Sequence, residues 1–138
     1  MNKRKVVILS FLLFVIVGCT NTDAFTTKGE SESWESTMQY SITKDYEERT
    51  GTIKYNGDEQ IKNVSYKINF PSSLGIGSSG NLEVAEGNQK IFSLGKSGGN
   101  NHRDIQLFRD VIHDVTITVS WVTDVGEYEE TISFSQDN

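Results

Sequence analysis

The stretch that decides the fold is VTITVSW, residues 115–121, in which apolar side chains alternate strictly with small polar ones. A period of two is typical of a β-strand with one buried face. After a turn at residues 124–127, Tyr128, Ile132 and Phe134 lie on one face of a second segment. The two segments therefore predict a β-hairpin.

The same alternation, or a shorter apolar run, recurs upstream of this hairpin. Pro71 ends the clearest of these segments, because proline has no N–H for a ladder hydrogen bond. Asn56-Gly57-Asp58 follows another segment and predicts a turn, since Asn and Gly accept positive φ at little cost. The upstream segments are residues 34–42, 50–55, 64–70, 82–84 and 91–94.

Each predicted strand has one apolar face that must be buried against another element. Two antiparallel sheets packed face to face achieve this, so we expect an all-β sandwich of seven to eight short strands. Trp34 and Trp121 are expected in its core. In strand number and pattern the domain resembles immunoglobulin-like and fibronectin-like sandwiches, although the Cys…Trp…Cys signature of true immunoglobulin domains is absent.

The segment before residue 115 is ambiguous. Ile105, Phe108 and Ile112 fit one face of a helix, whereas Ile105 and Leu107 fit a strand. A short helical turn between strands is favoured, and both readings stay open. Long helical patterns are absent, which excludes parallel α/β architectures.

The first residues have the composition of an export signal. Lys3, Arg4 and Lys5 are followed by a nearly unbroken apolar run, residues 6–17, interrupted only by Ser10. A run of this length is too short for a membrane span of about 20 residues, but it fits the central region of a signal peptide. Residues 1–18 are therefore predicted to be a signal peptide.

Ile16-Val17-Gly18-Cys19 resembles the lipobox of bacterial lipoproteins. The resemblance implies that a diacylglycerol, with chains such as palmitate, is attached to the Cys19 thiol and that cleavage falls between Gly18 and Cys19. It also implies anchoring in the cell membrane, on the extracytoplasmic face. GESESW (residues 29–34) and TISF (residues 131–134) further resemble small uncharacterised surface lipoproteins of Gram-positive bacteria, which carry no assigned activity.

Composition divides the remaining chain and limits its partners. Residues 19–33 are predicted to be the lipidated cysteine and a flexible polar linker, and residues 34–138 the β-sandwich domain. Three of the 13 basic residues and none of the 19 acidic ones precede Cys19, so the remainder has a formal charge of −9. Such a surface disfavours nucleic acid. With Cys19 the only cysteine, no internal disulfide and no multi-cysteine zinc site can form.

Two glycine-rich segments match known motifs, one for dinucleotide binding and one for nucleophilic catalysis, in sequence but not in structural context. Residues 75–80 read GIGSSG, a dinucleotide-binding pattern that requires a following helix, and none is predicted there. Residues 95–99 read GKSGG, the nucleophile-elbow pattern, with Asp110 and His113 downstream. The elbow requires a buried parallel strand and a helix, whereas these flanks are polar. We predict no catalytic residues.

Metal binding is likewise weakly indicated. His102 with Asp104, or His113 with Asp114, supplies too few ligands for a defined site. The turns at residues 56–59 and 124–127 contain carboxylates but lack a full calcium-loop spacing. We predict no metal and no cofactor.

The leading functional prediction is a non-enzymatic, membrane-anchored binding module for an envelope protein, a wall polymer or a small exported ligand. The alternatives are a small envelope enzyme or enzyme accessory, and a structural spacer. The segments 72–81 and 95–101 are the predicted binding loops, because function concentrates on loops carried by a rigid scaffold. Their candidate contact residues are Ser72, Ser73, Gly77, Ser78, Asn81, Lys96, Asn100 and Asn101.

Overall fold

The computed structural model describes residues 22–100 and 104–134. Gly18, Cys19, Asn101 and His102 lie outside these residues, so the predictions that concern them are not addressed by the fold. The described chain contains one α-helix, α1 (Ile105–Val111), and short 3-10 turns at Ser72–Leu74 and Ile112–Asp114. Its strands are β1 (Asp23–Glu30), β2 (Trp34–Ile42), β3 (Tyr46–Tyr55), β4 (Asn63–Asn69), β5 (Gly77–Leu82), β6 (Ile91–Asn100), β7 (Thr116–Val122) and β8 (Glu127–Phe134).

All strand pairings are antiparallel, in the order β5-β4-β7-β8-β1-β2-β3-β6. The β7–β8 hairpin has the predicted position and sets Trp121 opposite Tyr128. The outermost strands, β5 and β6, approach each other, so the sheet is nearly closed like a barrel. The prediction of an all-β antiparallel domain is confirmed, but the strands form one continuous sheet where two separate sheets were expected.

Strand β1 corrects the prediction of a flexible linker at residues 19–33 over the part that it occupies, Asp23–Glu30. Asp23–Glu30 pairs with β2 along its whole length, and Gly29 and Glu30 also pair with Phe134 and Ser133 of β8. The linker prediction was wrong because β1 is polar and draws its stability from backbone hydrogen bonds on both sides. Its one large apolar side chain, Phe25, stacks on Tyr40 with ring centroids 5.1 Å apart.

The two predicted binding loops are mostly strand. Residues 77–82 form β5, and β6 continues through residue 100. Glycine and serine give these segments no apolar alternation, so their strand character comes from the neighbours β4 and β3. Gly98 is required by this pairing, because a Cβ there would lie 2.1 Å from the backbone oxygen of Glu47. Gly95 has φ +74°, at an irregularity in the β3–β6 register.

The core lies inside the curved sheet and is capped by α1. Trp34 and Trp121 are both buried, as predicted, with ring centroids 5.5 Å apart in an edge-to-face arrangement. The helix favoured for residues 105–112 forms over residues 105–111. The Asp104 side chain caps it by accepting a hydrogen bond from the Gln106 N–H at 2.9 Å, and Phe108 packs into the core.

Helix α1 is too short for a membrane span, and within residues 22–100 and 104–134 no helix is long and apolar enough to cross a bilayer.

Candidate binding cleft

A cleft of about 500 Å³ opens at one end of the sheet. Three loops meet there: the β1–β2 turn, the β3–β4 connection and the β7–β8 hairpin. Backbone hydrogen bonds fix their relative positions, since Asn56 N donates to Ser33 O and Lys62 N to Val122 O, both at 2.8 Å. The cleft is therefore built by strand ends and by the loops between them, whose backbones are hydrogen-bonded to each other and to the sheet.

Three aromatic side chains form one wall of the cleft. Tyr55 ends β3, while Trp121 and Tyr128 are directly opposite each other on β7 and β8. The Trp121 and Tyr128 rings stack with centroids 5.3 Å apart and an interplanar angle of 21°. Tyr55 and Trp121 are 5% and 4% exposed, whereas Tyr128 is 37% exposed. The wall thus has a buried base and an outer ring in contact with solvent.

Four carboxylates share the cleft with these rings, namely those of Glu32, Asp58, Glu59 and Glu130. Glu130 accepts hydrogen bonds from Ser31 Oγ at 2.7 Å and from Ser33 N at 2.9 Å. Burial raises the pKa of Glu130, but these hydrogen bonds together outweigh it, so that pKa lies below its usual value. Glu130 is therefore ionised at neutral pH.

The same burial and the same carboxylates also shift the pKa of the Tyr55 hydroxyl. Burial raises the pKa of Tyr55, and the nearby carboxylates of Glu59 and Glu130 raise it further, while the Trp121 indole opposes them. The indole N–H is buried and faces that hydroxyl without forming a full hydrogen bond. Tyr55 therefore stays a neutral phenol, and the charge of this cleft comes from its carboxylates.

One cation of the chain already contacts the aromatic wall. The Lys90 ammonium lies 5.0 Å from the Tyr55 ring centroid and donates a hydrogen bond to the Gly57 carbonyl. Its backbone is held in place, since Tyr55 N donates to Lys90 O at 2.8 Å. This is a cation–π contact at the edge of the cleft.

The predicted contact residues lie elsewhere and do not line this cleft. Ser72 and Ser73 are exposed on a 3-10 turn, and the remaining described ones belong to the outermost strands. The structure brings these strands close together, with the Tyr66 hydroxyl donating to Leu94 O across the gap at 3.1 Å. Gly77, Ser78 and Asn81 are in β5, and Lys96 and Asn100 are in β6.

Lys96 is engaged within the chain. Its ammonium lies 2.7 Å from the Glu48 carboxylate, and the hydrogen bond to that carboxylate raises the pKa of Lys96. The predicted segments are thus strands at the two ends of the sheet, β5 paired with β4 and β6 paired with β3, where the sequence predicted two loops.

The catalytic motifs lack their structural context. Residues 95–99 lie within β6, and Ser97 Oγ accepts hydrogen bonds from the Arg49 guanidinium at 3.2 and 3.3 Å. Residues 75–80 run from a 3-10 turn into β5, with no helix after them. Neither segment has the strand–turn–helix geometry that its motif requires.

The candidate metal ligands are dispersed or occupied. Asp124 forms an ion pair with Lys62, and the Asn56 amide donates to Glu35 Oε1 at 2.9 Å. Among the described residues, no group of three or more His, Cys, Asp or Glu side chains is arranged to hold a metal ion. His113 lies in the 3-10 turn after α1.

Sequence reasoning missed the cleft because its residues come from distant segments. Trp121 and Tyr128 were assigned to apolar strand faces, and the 56–58 turn was noted only as a turn. The sequence feature that could have indicated the cleft is the presence of carboxylates close to aromatic residues at the ends of strands. Asp58 and Glu59 follow Tyr55 closely, and Glu130 follows Tyr128 by two residues.

No family model, curated protein or solved structure matches the chain. The likeness to Gram-positive surface lipoproteins and to immunoglobulin-like sandwiches stays a prediction from the sequence pattern.

Proposed function

We propose that this protein is a lipid-anchored, non-enzymatic binding domain on the extracytoplasmic face of a bacterial cell membrane. Acylated Cys19 holds it at the bilayer, and the aromatic, acidic cleft is its binding site. Gly18 and Cys19 flank the signal cleavage in this proposal. The motif Ile16-Val17-Gly18-Cys19 supports the anchor, and the geometry of the cleft supports binding.

The position of β1 gives the anchor a geometric consequence. Cys19 precedes Asp23, the first residue of β1, by four positions, so fully extended chain spans about 14 Å at most. The Asp23 end of the sheet therefore lies close to the bilayer. β1 then runs eight residues, about 24 Å, toward the β1–β2 turn that borders the cleft. The cleft accordingly opens at the end of β1 remote from the membrane.

The observation that carries the binding function is the combination of size and lining. A volume of about 500 Å³ lies within the range of small-ligand sites, which combine apolar walls with a few fixed polar groups. Here the stacked Trp121–Tyr128 pair supplies the apolar wall, and Glu130, held by two hydrogen bonds, supplies a fixed charge. Both belong to regular strands, which favours a preformed site.

The finer fold prediction, a two-layer sandwich of immunoglobulin-like character, belongs to the same proposal. The junction of β1 and β8 consists of only two residue pairs. The sheet therefore divides naturally into the layers β5-β4-β7-β8 and β1-β2-β3-β6. Trp34 of β2 and Trp121 of β7 pack between them, which supports a face-to-face arrangement.

Metabolic labelling with a radioactive fatty acid tests the anchor. The parent protein is expected to incorporate label and to fractionate with membranes, whereas Cys19→Ala should remain an unlabelled precursor. Unchanged labelling of Cys19→Ala, or an unprocessed parent protein in the cytosol, would refute the anchoring.

Orientation and binding can be tested with single labelled cysteines, because thioether-linked Cys19 has no free thiol. Asp58→Cys marks the cleft, and Asp45→Cys marks the opposite end of the sheet, near Asp23. Energy transfer to a headgroup-labelled lipid should be stronger from position 45 than from position 58. A photo-crosslinker at 58 on intact cells should capture a species that the same reagent at 45 does not. Equal transfer contradicts the orientation, and identical capture contradicts binding at the cleft.

A further inference from the structure

We propose that the cleft binds an ammonium group, carried either by a small organic amine or by a lysine side chain of a protein. This inference rests on the proposed function as a binding domain and specifies the chemistry of its ligand. The inference is based on the cleft, in which a partly exposed aromatic wall lies beside four carboxylates.

The aromatic wall is suited to a cation. Ammonium groups are attracted to the faces of Trp and Tyr rings within about 6 Å of the ring centroid. The Lys90 contact with Tyr55, at 5.0 Å, is an instance of this interaction at the same wall. Tyr55 is covered by Lys90 and by the neighbouring indole, whereas Tyr128 is 37% exposed and offers its ring to a ligand.

The charges of the cleft favour a cation over a neutral sugar or an anion. Four carboxylates line it, and Lys90 at its edge brings a single positive charge. A neutral ligand would gain no charge–charge attraction from these carboxylates, and an anion would be repelled.

Matched small probes separate charge from shape. Choline and 3,3-dimethylbutan-1-ol have nearly the same shape and the same hydroxyl, but only choline is charged. Titration of the lipidated protein in a polyoxyethylene ether detergent, which has neither sugar nor ammonium groups, can be followed by tryptophan fluorescence and calorimetry. We expect saturable binding of choline or butylammonium and about tenfold weaker binding of the neutral alcohol.

Butylammonium and Nα-acetyl-lysine amide, whose side-chain ammonium is free, distinguish the two sources of the group. Tighter binding of the lysine derivative assigns the ammonium to a protein side chain, and tighter binding of the free amines assigns it to a small ligand. If the neutral alcohol or a neutral disaccharide binds as well as choline, the ammonium proposal is overturned while a binding cleft stands. If no probe binds, the ammonium proposal is also overturned, and crosslinking from position 58 then decides separately whether the binding function survives.

Variants with matched controls test the location. Asp58→Asn/Glu59→Gln should weaken choline binding by about threefold to tenfold at low salt, with a smaller effect at high salt. Glu83→Gln/Glu86→Gln removes the same charge from exposed positions outside the cleft and should leave binding nearly unchanged. Equal effects of the two double variants would overturn the assignment, because only general attraction to an acidic protein would then remain.

Two further variants test the wall itself. Tyr128→Leu should weaken binding by about fivefold, because an exposed ring face is lost. Lys90→Met removes a competing positive charge and should strengthen binding of choline. Weaker choline binding by Lys90→Met, with an unchanged circular dichroism spectrum, would contradict a cationic ligand.

Discussion

Removing the Glu130 side chain should loosen the β1–β2 turn and destabilise the whole domain. Glu130 of β8 accepts hydrogen bonds from Ser31 Oγ at 2.7 Å and Ser33 N at 2.9 Å, and thereby ties the turn to the β7–β8 hairpin. A hydrogen bond to a charged group contributes about 1.5–3 kcal/mol. Because Glu130 is half-buried, we expect Glu130→Ala to lower the free energy of unfolding by about 2–4 kcal/mol in total.

Urea unfolding of the protein, followed by tryptophan fluorescence, measures this loss. Both tryptophans are buried, so their emission reports on the core. With a urea dependence of about 1–3 kcal/mol per molar, the midpoint should fall by about 1–2 M. Glu129→Ala is the matched control, since Glu129 accepts a similar bond from Ser120 Oγ at 2.9 Å in an exposed position. There water replaces the lost bond, and the loss should be below about 1 kcal/mol.

A double-mutant cycle and the pH dependence decide whether the hydrogen bonds are the cause. Glu130→Ala and Ser31→Ala should show a coupling of about 1 kcal/mol. Because the folded-state pKa of Glu130 is depressed, its contribution is present above the ordinary value of 4.5 and is lost as pH falls through the folded-state pKa. The stability difference between the parent and Glu130→Gln should therefore shrink in that acidic window. Zero coupling, or equal losses for Glu129→Ala and Glu130→Ala, would refute this reasoning.

Three other substitutions probe the fold. Phe108→Ala should lower the free energy of unfolding by about 3–4 kcal/mol in urea titration, because the fully buried ring caps the core, and a loss below about 1 kcal/mol would contradict that role. Gly98→Ala should lower the free energy of unfolding by about 1–3 kcal/mol, because its Cβ clashes with Glu47 O. Gly99→Ala, whose Cβ meets open space, should leave the free energy of unfolding nearly unchanged. Equal losses for the two variants would contradict the β3–β6 register. Burial raises the pKa of Tyr40 to about 12, so stability should fall as pH rises from the ordinary value of 10.0 toward about 12, and Tyr40→Phe should lose less over that window. Indistinguishable alkaline unfolding of the Tyr40→Phe variant would contradict this prediction.

The strands that sequence reasoning predicted are those whose burial alternates along the chain. Residues 115–121 form β7 almost as predicted, because every second side chain enters the core. β1 and β5 alternate only between half-buried and exposed residues, and the second half of β6 contains no buried residue, since Gly, Ser and Thr bury little side-chain surface. Their conformation is imposed by neighbouring strands, and the pairings β1–β8 and β4–β7 join segments that are distant in sequence.

The cleft was beyond prediction for the same reason. Local pattern assigned Tyr55 and Trp121 to buried faces, and both are buried. It did not predict that Tyr128 and the cleft carboxylates lie beside these two rings. That arrangement depends on the register that sets Trp121 opposite Tyr128 and on the hydrogen bond between Ser33 and Glu130. By contrast, the serine- and glycine-rich segments that were predicted to be binding loops form β5 and β6 at the edges of the sheet.

The proposed anchor and the proposed ligand chemistry are compatible because they act at opposite ends of β1. An acidic cleft close to an anionic membrane would compete with the lipid headgroups for the same cations. Along β1 the separation is about 24 Å, roughly three times the Debye length of about 8 Å at physiological ionic strength. Screening therefore makes the potential in the cleft a property of Glu32, Asp58, Glu59 and Glu130, independent of lipid composition. Under the two proposals, a ligand is selected by the rings and carboxylates that it contacts, and the membrane determines only where that selection takes place.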